Sequence, residues 1–184
     1  SAASDVYKRQ IKECKAFIHD KAISVVAVPN ELGQQTLSNM GKVALVKRLR
    51  KTLLEQFETV MLPHRWRFEP ILPFDQRGKC TIEALKELFD PCHLQPSAWS
   101  LETQKVTLRL TIEAKNPYFK GHFPEFALLP GVAQIEYVVR EAHRYLKTPL
   151  AVREGKNIKF MRMILPNQSV EMRLQFEVEK NSLN

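Results

Sequence analysis

Residues 121–136 read GHFPEFALLPGVAQIE, a stretch in which His122 and Glu136 flank a Pro130-Gly131 step. A Pro-Gly step followed by a periodic run, as found from Gln134 to Leu146, is suited to starting a helix. Such a start brings a backbone N–H, an imidazole and a carboxyl group near one another. Chemically, that set can remove a proton beside a carbonyl, steady the resulting oxyanion and protonate a leaving group. A solvated helix carboxylate and a loop-stabilising histidine are the plain alternative reading of the same two residues.

The flanks indicate what surrounds the stretch. Residues 106–114 alternate strictly, with Val106, Leu108, Leu110 and Ile112 on one face and Thr107, Arg109, Thr111 and Glu113 on the other. Residues 170–179 repeat the pattern through Val170, Met172, Leu174, Phe176 and Val178. Both predict half-buried antiparallel strands. Between them, Val132, Ile135, Val139, Ala142 and Leu146 follow the three-four spacing of one buried helical stripe. Residues 157–165 read as a further strand, ended by Pro166-Asn167-Gln168. The expected fold class is α+β, an antiparallel sheet around a central helix.

Residues 121–136 resemble the hot-dog-fold 3-hydroxyacyl-carrier-protein dehydratases of the FabA/FabZ type, in particular the short branch found in aryl-polyene clusters. That branch reads close to G-H-F-P-G-x-P-x-L-P-G-V-x-Q-x-D/E. Two positions depart from it: Glu125 stands where Gly is usual and Ala127 where Pro is usual. The resemblance implies dehydration of a 3-hydroxyacyl thioester to the trans-2-enoyl thioester. His122 would be the base, since an unperturbed imidazole, with a pKa of about 6.5, is mostly neutral near pH 7. Glu136 would protonate or hydrogen-bond the leaving hydroxyl, and desolvation at the flank of the apolar stripe would raise its pKa. The N–H of Gly131, at the positive end of the helix, would bind the thioester oxygen. Phe123, Pro124 and Pro130 would hold the motif in shape, and His143 would be a packing or surface residue.

The same resemblance implies an acyl carrier protein as partner, with the substrate carried on phosphopantetheine, and no other cofactor or metal. It also implies a homodimer whose sites draw the His and the acid from opposite protomers. The chain stops at Asn184, where the family usually has a further strand or two, so a partial domain is expected over residues 104–184. Two other readings stay open. One is a hot-dog thioesterase, although those enzymes usually lack the H-F-P motif. The other is a carrier-protein docking module without catalysis, which Glu125 and Ala127 keep in view.

The N-terminal half is a different unit. Residues 1–10, SAASDVYKRQ, look like translated sequencing adapter and are set aside as a non-native leader. Residues 13–19 and 22–28 read as strands parted by Asp20-Lys21, the second rich in β-branched residues. Leu45, Val46, Leu49, Leu53 and Phe57 stand at helical spacing. A short strand around Trp66 to Phe68, a turn over residues 73–78 and a helix over 81–89 follow. Pro63, Leu72-Pro73, Gly78-Lys79 and Leu85 resemble the C-terminal end of the acyl-adenylate-forming (AMP-binding) ligases, with Ile82 where Arg is common. By that resemblance Lys79 would orient the carboxylate and α-phosphate during adenylation. ATP would serve only together with the large nucleotide-binding domain, which lies outside this chain. The expected division is a ligase-type subdomain over 11–89, a linker over 90–103 and the hot-dog domain over 104–184.

Composition fits a globular chain, with 44% hydrophobic and 26% charged residues in 184. No apolar run approaches the ~20 residues of a membrane span. Cys14, Cys80 and Cys92 are odd in number and form no C-x-x-C pair, which suits a reduced cytosol. His93 beside Cys92 reads as linker, since zinc needs further ligands at short spacing. The net charge of +8 is densest at Lys42, Lys47, Arg48, Arg50 and Lys51. They form the polar face of a helix with no stacking platform beside it, so nucleic acid is not the expected partner. An acidic carrier protein would suit a basic surface.

Overall fold

A computed structural model describes residues 9–121, 125–146, 155–177 and 182–183. Along the chain it divides into two compact units, between Ala98 and Trp99.

The first unit opens with strands β1 (Ile11–His19) and β2 (Ala22–Pro29), paired antiparallel with His19 opposite Ala22. Asp20 and Lys21 both take positive φ, 47° and 61°. Positive φ at both central residues is the pattern of a two-residue hairpin turn whose twist matches its strands. Strand β2 then pairs in parallel with β3 (Arg65–Phe68), Ser24 opposite Arg65 and Ala27 opposite Phe68. β2 is therefore the central strand, which is why AISVVAVP is buried almost throughout rather than alternating.

Helices α1 (Glu31–Met40) and α2 (Lys42–Leu53) form the crossover between β2 and β3. The side-chain oxygen of Asn30 caps α1 by accepting from the Gly33 N–H at 3.0 Å. Gly33 has no alternative, because a Cβ there would lie 2.1 Å from the Gln10 carbonyl oxygen. That carbonyl accepts the Asn30 N–H at 2.9 Å. Gln10, set aside with residues 1–8 as leader, thus belongs to the fold, whereas residues 1–8 lie outside the described residues. Leu45, Leu49 and Leu53 are buried as their spacing predicts, but α2 stops at Leu53 and Phe57 sits in the turn beyond it. A short helix α3 (Ile82–Glu87), capped by Thr81, brings Leu85 onto Phe17, Val26, Val28, Leu72 and Leu88.

Part of the expected linker is structured. Arg67 donates from Nη2 to the carbonyls of His93 (3.2 Å) and Leu94 (2.9 Å), and Leu94 is buried. Strand β4 (Pro96–Glu102) follows at once. Proline is tolerated at the first position of a strand, so the Pro-based expectation of irregular chain fails there.

In the second unit β4, β5 (Lys105–Thr111), β6 (Ser169–Glu177) and β7 (Ser182–Leu183) lie side by side in that order. β5 and β6 are antiparallel, Lys105 opposite Gln175 and Thr111 opposite Ser169. Val106, Leu108, Leu110 and Leu174 are buried on the expected faces. Helix α4 (Gly131–Leu146) contacts β6.

Two expectations about this unit are corrected. Residues 157–165 are no strand. The segment starts at Asn157 with φ 57° and is tied by the Leu129 N–H to the Ile164 carbonyl, 2.9 Å. Just beyond it, the Asn167 N–H donates to the Ile112 carbonyl at 2.7 Å. Phe160, Met161 and Met163 are exposed. The buried face of α4 is only partly the predicted stripe: Ala142 is buried and Val139 half-buried, whereas Val132 is 78% and Ile135 39% exposed, and Ala133, Tyr137 and Glu141 are buried instead. The Tyr137 hydroxyl accepts a bond from Asn116 at 2.8 Å.

Candidate active site

Glu136 lies on the exposed side of α4, and its carboxylate is held from two directions. Tyr118 donates its hydroxyl to Oε2 at 2.7 Å, and Arg140, one turn on, donates from Nη2 to Oε1 at 2.7 Å. The side chain is 46% exposed. Within this chain the carboxylate is thus about half open to solvent, beside the exposed Val132 and Ile135.

Tyr118 stands in a single helical turn, Pro117–Phe119, just ahead of the His122 stretch. Asn116 begins that turn, its side-chain oxygen accepting the Tyr118 N–H at 3.0 Å. Gly121, with φ 91°, turns the chain where a side chain would be strained. His122, Phe123 and Pro124 lie outside the described residues.

Gly131 is the first residue of α4, next to Pro130. A Cβ on it would lie 2.8 Å from Cζ of Phe160, so the Phe160 ring rests directly over this glycine. In this structure the space beside Gly131 is thus taken by an aromatic ring of the chain itself. Pro130 accepts the Gln134 N–H at 3.1 Å, and the Gln134 side chain donates to the Leu129 carbonyl at 3.1 Å, which holds the helix entrance. His143 is exposed, as a surface residue would be.

Lys79 follows a tight turn in the first unit. The Asp75 side chain accepts the N–H groups of Arg77 (2.8 Å) and Lys79 (2.9 Å). The basic face of α2 is partly spent on the chain itself: Arg50 donates to the Pro63 carbonyl at 2.7 Å and Arg48 to Thr36 Oγ1 at 3.2 Å. Among the described residues no three His, Cys, Asp or Glu side chains gather as metal ligands, and no helix is long and apolar enough to cross a membrane. Burial pushes the Cys14 and Cys80 thiols up from their ordinary range.

Sequence reasoning missed Tyr118, Asn116 and Arg140. Arg140 was within reach, since a Glu and an Arg four residues apart on a helix are neighbours. The Tyr118 contact joins separate segments, and local spacing carries no signal of it.

Residues 98–184 match the ApeI-like family, described as ApeI dehydratase. The chain is 29% identical to the 3-hydroxyacyl-(acyl-carrier-protein) dehydratase FabZ of Ruminiclostridium cellulolyticum over 84 residues, 42% of this chain and 59% of that protein. It is 26% identical to the FabZ of Clostridium perfringens strain SM101 over 110 residues, 54% of this chain and 77% of that one. Among solved structures it is similar to the dehydratase heterocomplex ApeI:P from Xenorhabdus doucetiae, at 27% identity and TM-score 0.43, over 45% of this chain and 73% of that one. The chain thus spans less than two thirds of the first relative's length. The antiparallel sheet and helix of the second unit fit a hot-dog fold.

Proposed function

We propose that the second unit is a 3-hydroxyacyl thioester dehydratase acting on an acyl carrier protein-bound substrate. The observation that carries this reading is the carboxylate of Glu136, fixed at both oxygens five residues after Gly131 on a helix that follows directly from the His122 stretch. Similarity to the FabZ and ApeI dehydratases supports it.

In the reaction, His122 takes the C2 proton, and the N–H of Gly131 bonds the thioester oxygen as negative charge gathers there. The C2 electron pair forms the double bond as the C3–O bond breaks. Glu136 gives the departing oxygen a proton, so that it leaves as water. The ion pair with Arg140 suits the carboxylate that remains. Solvent exchange returns the proton from His122 to Glu136. The thioester is carried on phosphopantetheine, and the residues' chemistry calls for no metal.

The working form in this reading is a homodimer, with the exposed apolar stripe of Val132, Ile135 and Val138 covered by the second copy. The first unit is a ligase-type subdomain, in which Lys79 would serve adenylation only beside a nucleotide-binding domain; the motif from Leu72 to Lys79 supports this. Mass spectrometry of a 3-hydroxyacyl-carrier protein incubated with the chain tests the chemistry. Loss of water supports dehydration, whereas a free acid would mean a thioesterase. His122→Ala and Glu136→Gln should each slow the reaction at least ~10²-fold. Mixing the two inactive variants should restore part of the activity if protomers share a site, and none after verified exchange if they do not.

A further inference from the structure

Glu136 sits within a closed circuit of five side chains. Asn116 holds the Tyr118 N–H through its oxygen (3.0 Å) and donates from Nδ2 to the Tyr137 hydroxyl (2.8 Å). The Tyr118 and Tyr137 rings meet edge to face, 5.5 Å between centroids at 88°. The Arg140 guanidinium lies 5.7 Å from the centre of the Tyr137 ring and donates to Glu136, whose other oxygen accepts from Tyr118. Tyr137 and Asn116 are buried, so the circuit is anchored in the interior while the carboxylate stays accessible.

An ion pair four residues apart on an exposed helix face is weak and leaves a glutamate free to change rotamer. The tyrosine alters that. Its hydroxyl reaches Oε2 from a separate turn of chain, so the two oxygens are held by donors on different elements. We propose that Tyr118 is a positioning residue for Glu136. It fixes which carboxyl oxygen faces the departing hydroxyl and ties the acid to the turn that leads into His122. The proposal rests on the dehydratase reading above for its catalytic consequence, and on the circuit alone for the ordering of Glu136.

The full chain tests both parts. Tyr118→Phe keeps the ring contact with Tyr137 and removes only the hydroxyl. It should lower kcat roughly 10- to 100-fold, as expected for a misplaced catalytic group, with KM within about twofold. In a Glu136→Gln background the same change should cost nothing further. Wild-type kcat in Tyr118→Phe, or an equal loss in the Glu136→Gln background, overturns the proposal. Proton NMR reads the ordering without activity. The two γ-protons of Glu136 should be well separated in shift in the native chain and collapse towards one another in Tyr118→Phe. Separation that survives the substitution overturns the positioning role even if the chain is inactive. An inactive native chain whose γ-protons do respond would refute the dehydratase reading and leave the positioning intact.

Discussion

Replacing Arg67 with Met should cost the first unit much of its stability. Arg67 is 3% and Glu69 0% exposed, and the guanidinium Nε stands 2.9 Å from Glu69 Oε1. The same side chain donates to the His93 and Leu94 carbonyls. Removing one partner of a buried pair leaves the other's charge behind, a loss of about 3–5 kcal/mol. A unit of this size shifts its midpoint by roughly 4–8 °C per kcal/mol, so the expected fall in Tm is about 12–40 °C. Calorimetry with matched guanidinium melts measures it. Chymotrypsin should also cut faster after Leu94, because the two carbonyls that tie this segment to β3 lose their donor. Replacing both residues, as Arg67→Met with Glu69→Leu, should cost less than Arg67→Met alone, since no buried charge then remains. A single variant within about 1 kcal/mol of the native chain would refute the reasoning.

Three further outcomes follow from contacts in the structure. Tyr137→Phe removes the acceptor of a buried Asn116 donor and should cost about 1–3 kcal/mol in a denaturant melt of the second unit. Gly131→Ala puts a methyl 2.8 Å from the Phe160 ring; because that ring is 55% exposed and can swing away, the loss should stay below about 1 kcal/mol and disappear beside Phe160→Ala, as read from Tm. Cys14, raised above its ordinary 9.0 by burial, holds less thiolate at neutral pH than a free cysteine. Its alkylation by iodoacetamide, followed by peptide mass spectrometry, should be slow at pH 7 and climb well past pH 9.

Much of the frame was legible because local pattern and burial agree there. The leucines of α2 and the alternation of β5 each offer one apolar face, and that face is buried. On α4 two candidate faces exist. Periodicity favours the one rich in Val and Ile, whereas Ala133, Tyr137 and Glu141 are buried, with Ala142 common to both; the Tyr137 hydroxyl meets an Asn116 partner that only the fold supplies. Residues 158–165 are apolar on both faces, so no period distinguishes a strand from an extended exposed segment. At the site, Gly131 and Glu136 were readable from one motif. Tyr118 was not, because its bond to Glu136 spans eighteen residues of sequence.

The central position of β2 has a consequence for how the first unit acquires its structure. Its pairing with β1 closes a two-residue turn and forms on the scale of about 1–10 μs. Its pairing with β3 must wait for α1 and α2 to close the crossover from Pro29 to Arg65. Non-local parallel pairing is slow for that reason. Until it forms, Ser24, Val25, Val26 and Ala27 present an apolar strand with one edge open, a template for another chain. Pulse-labelling hydrogen exchange during refolding should find β1 to β2 amides protected before those bonded to β3. Aggregation during refolding should rise with protein concentration in that same interval.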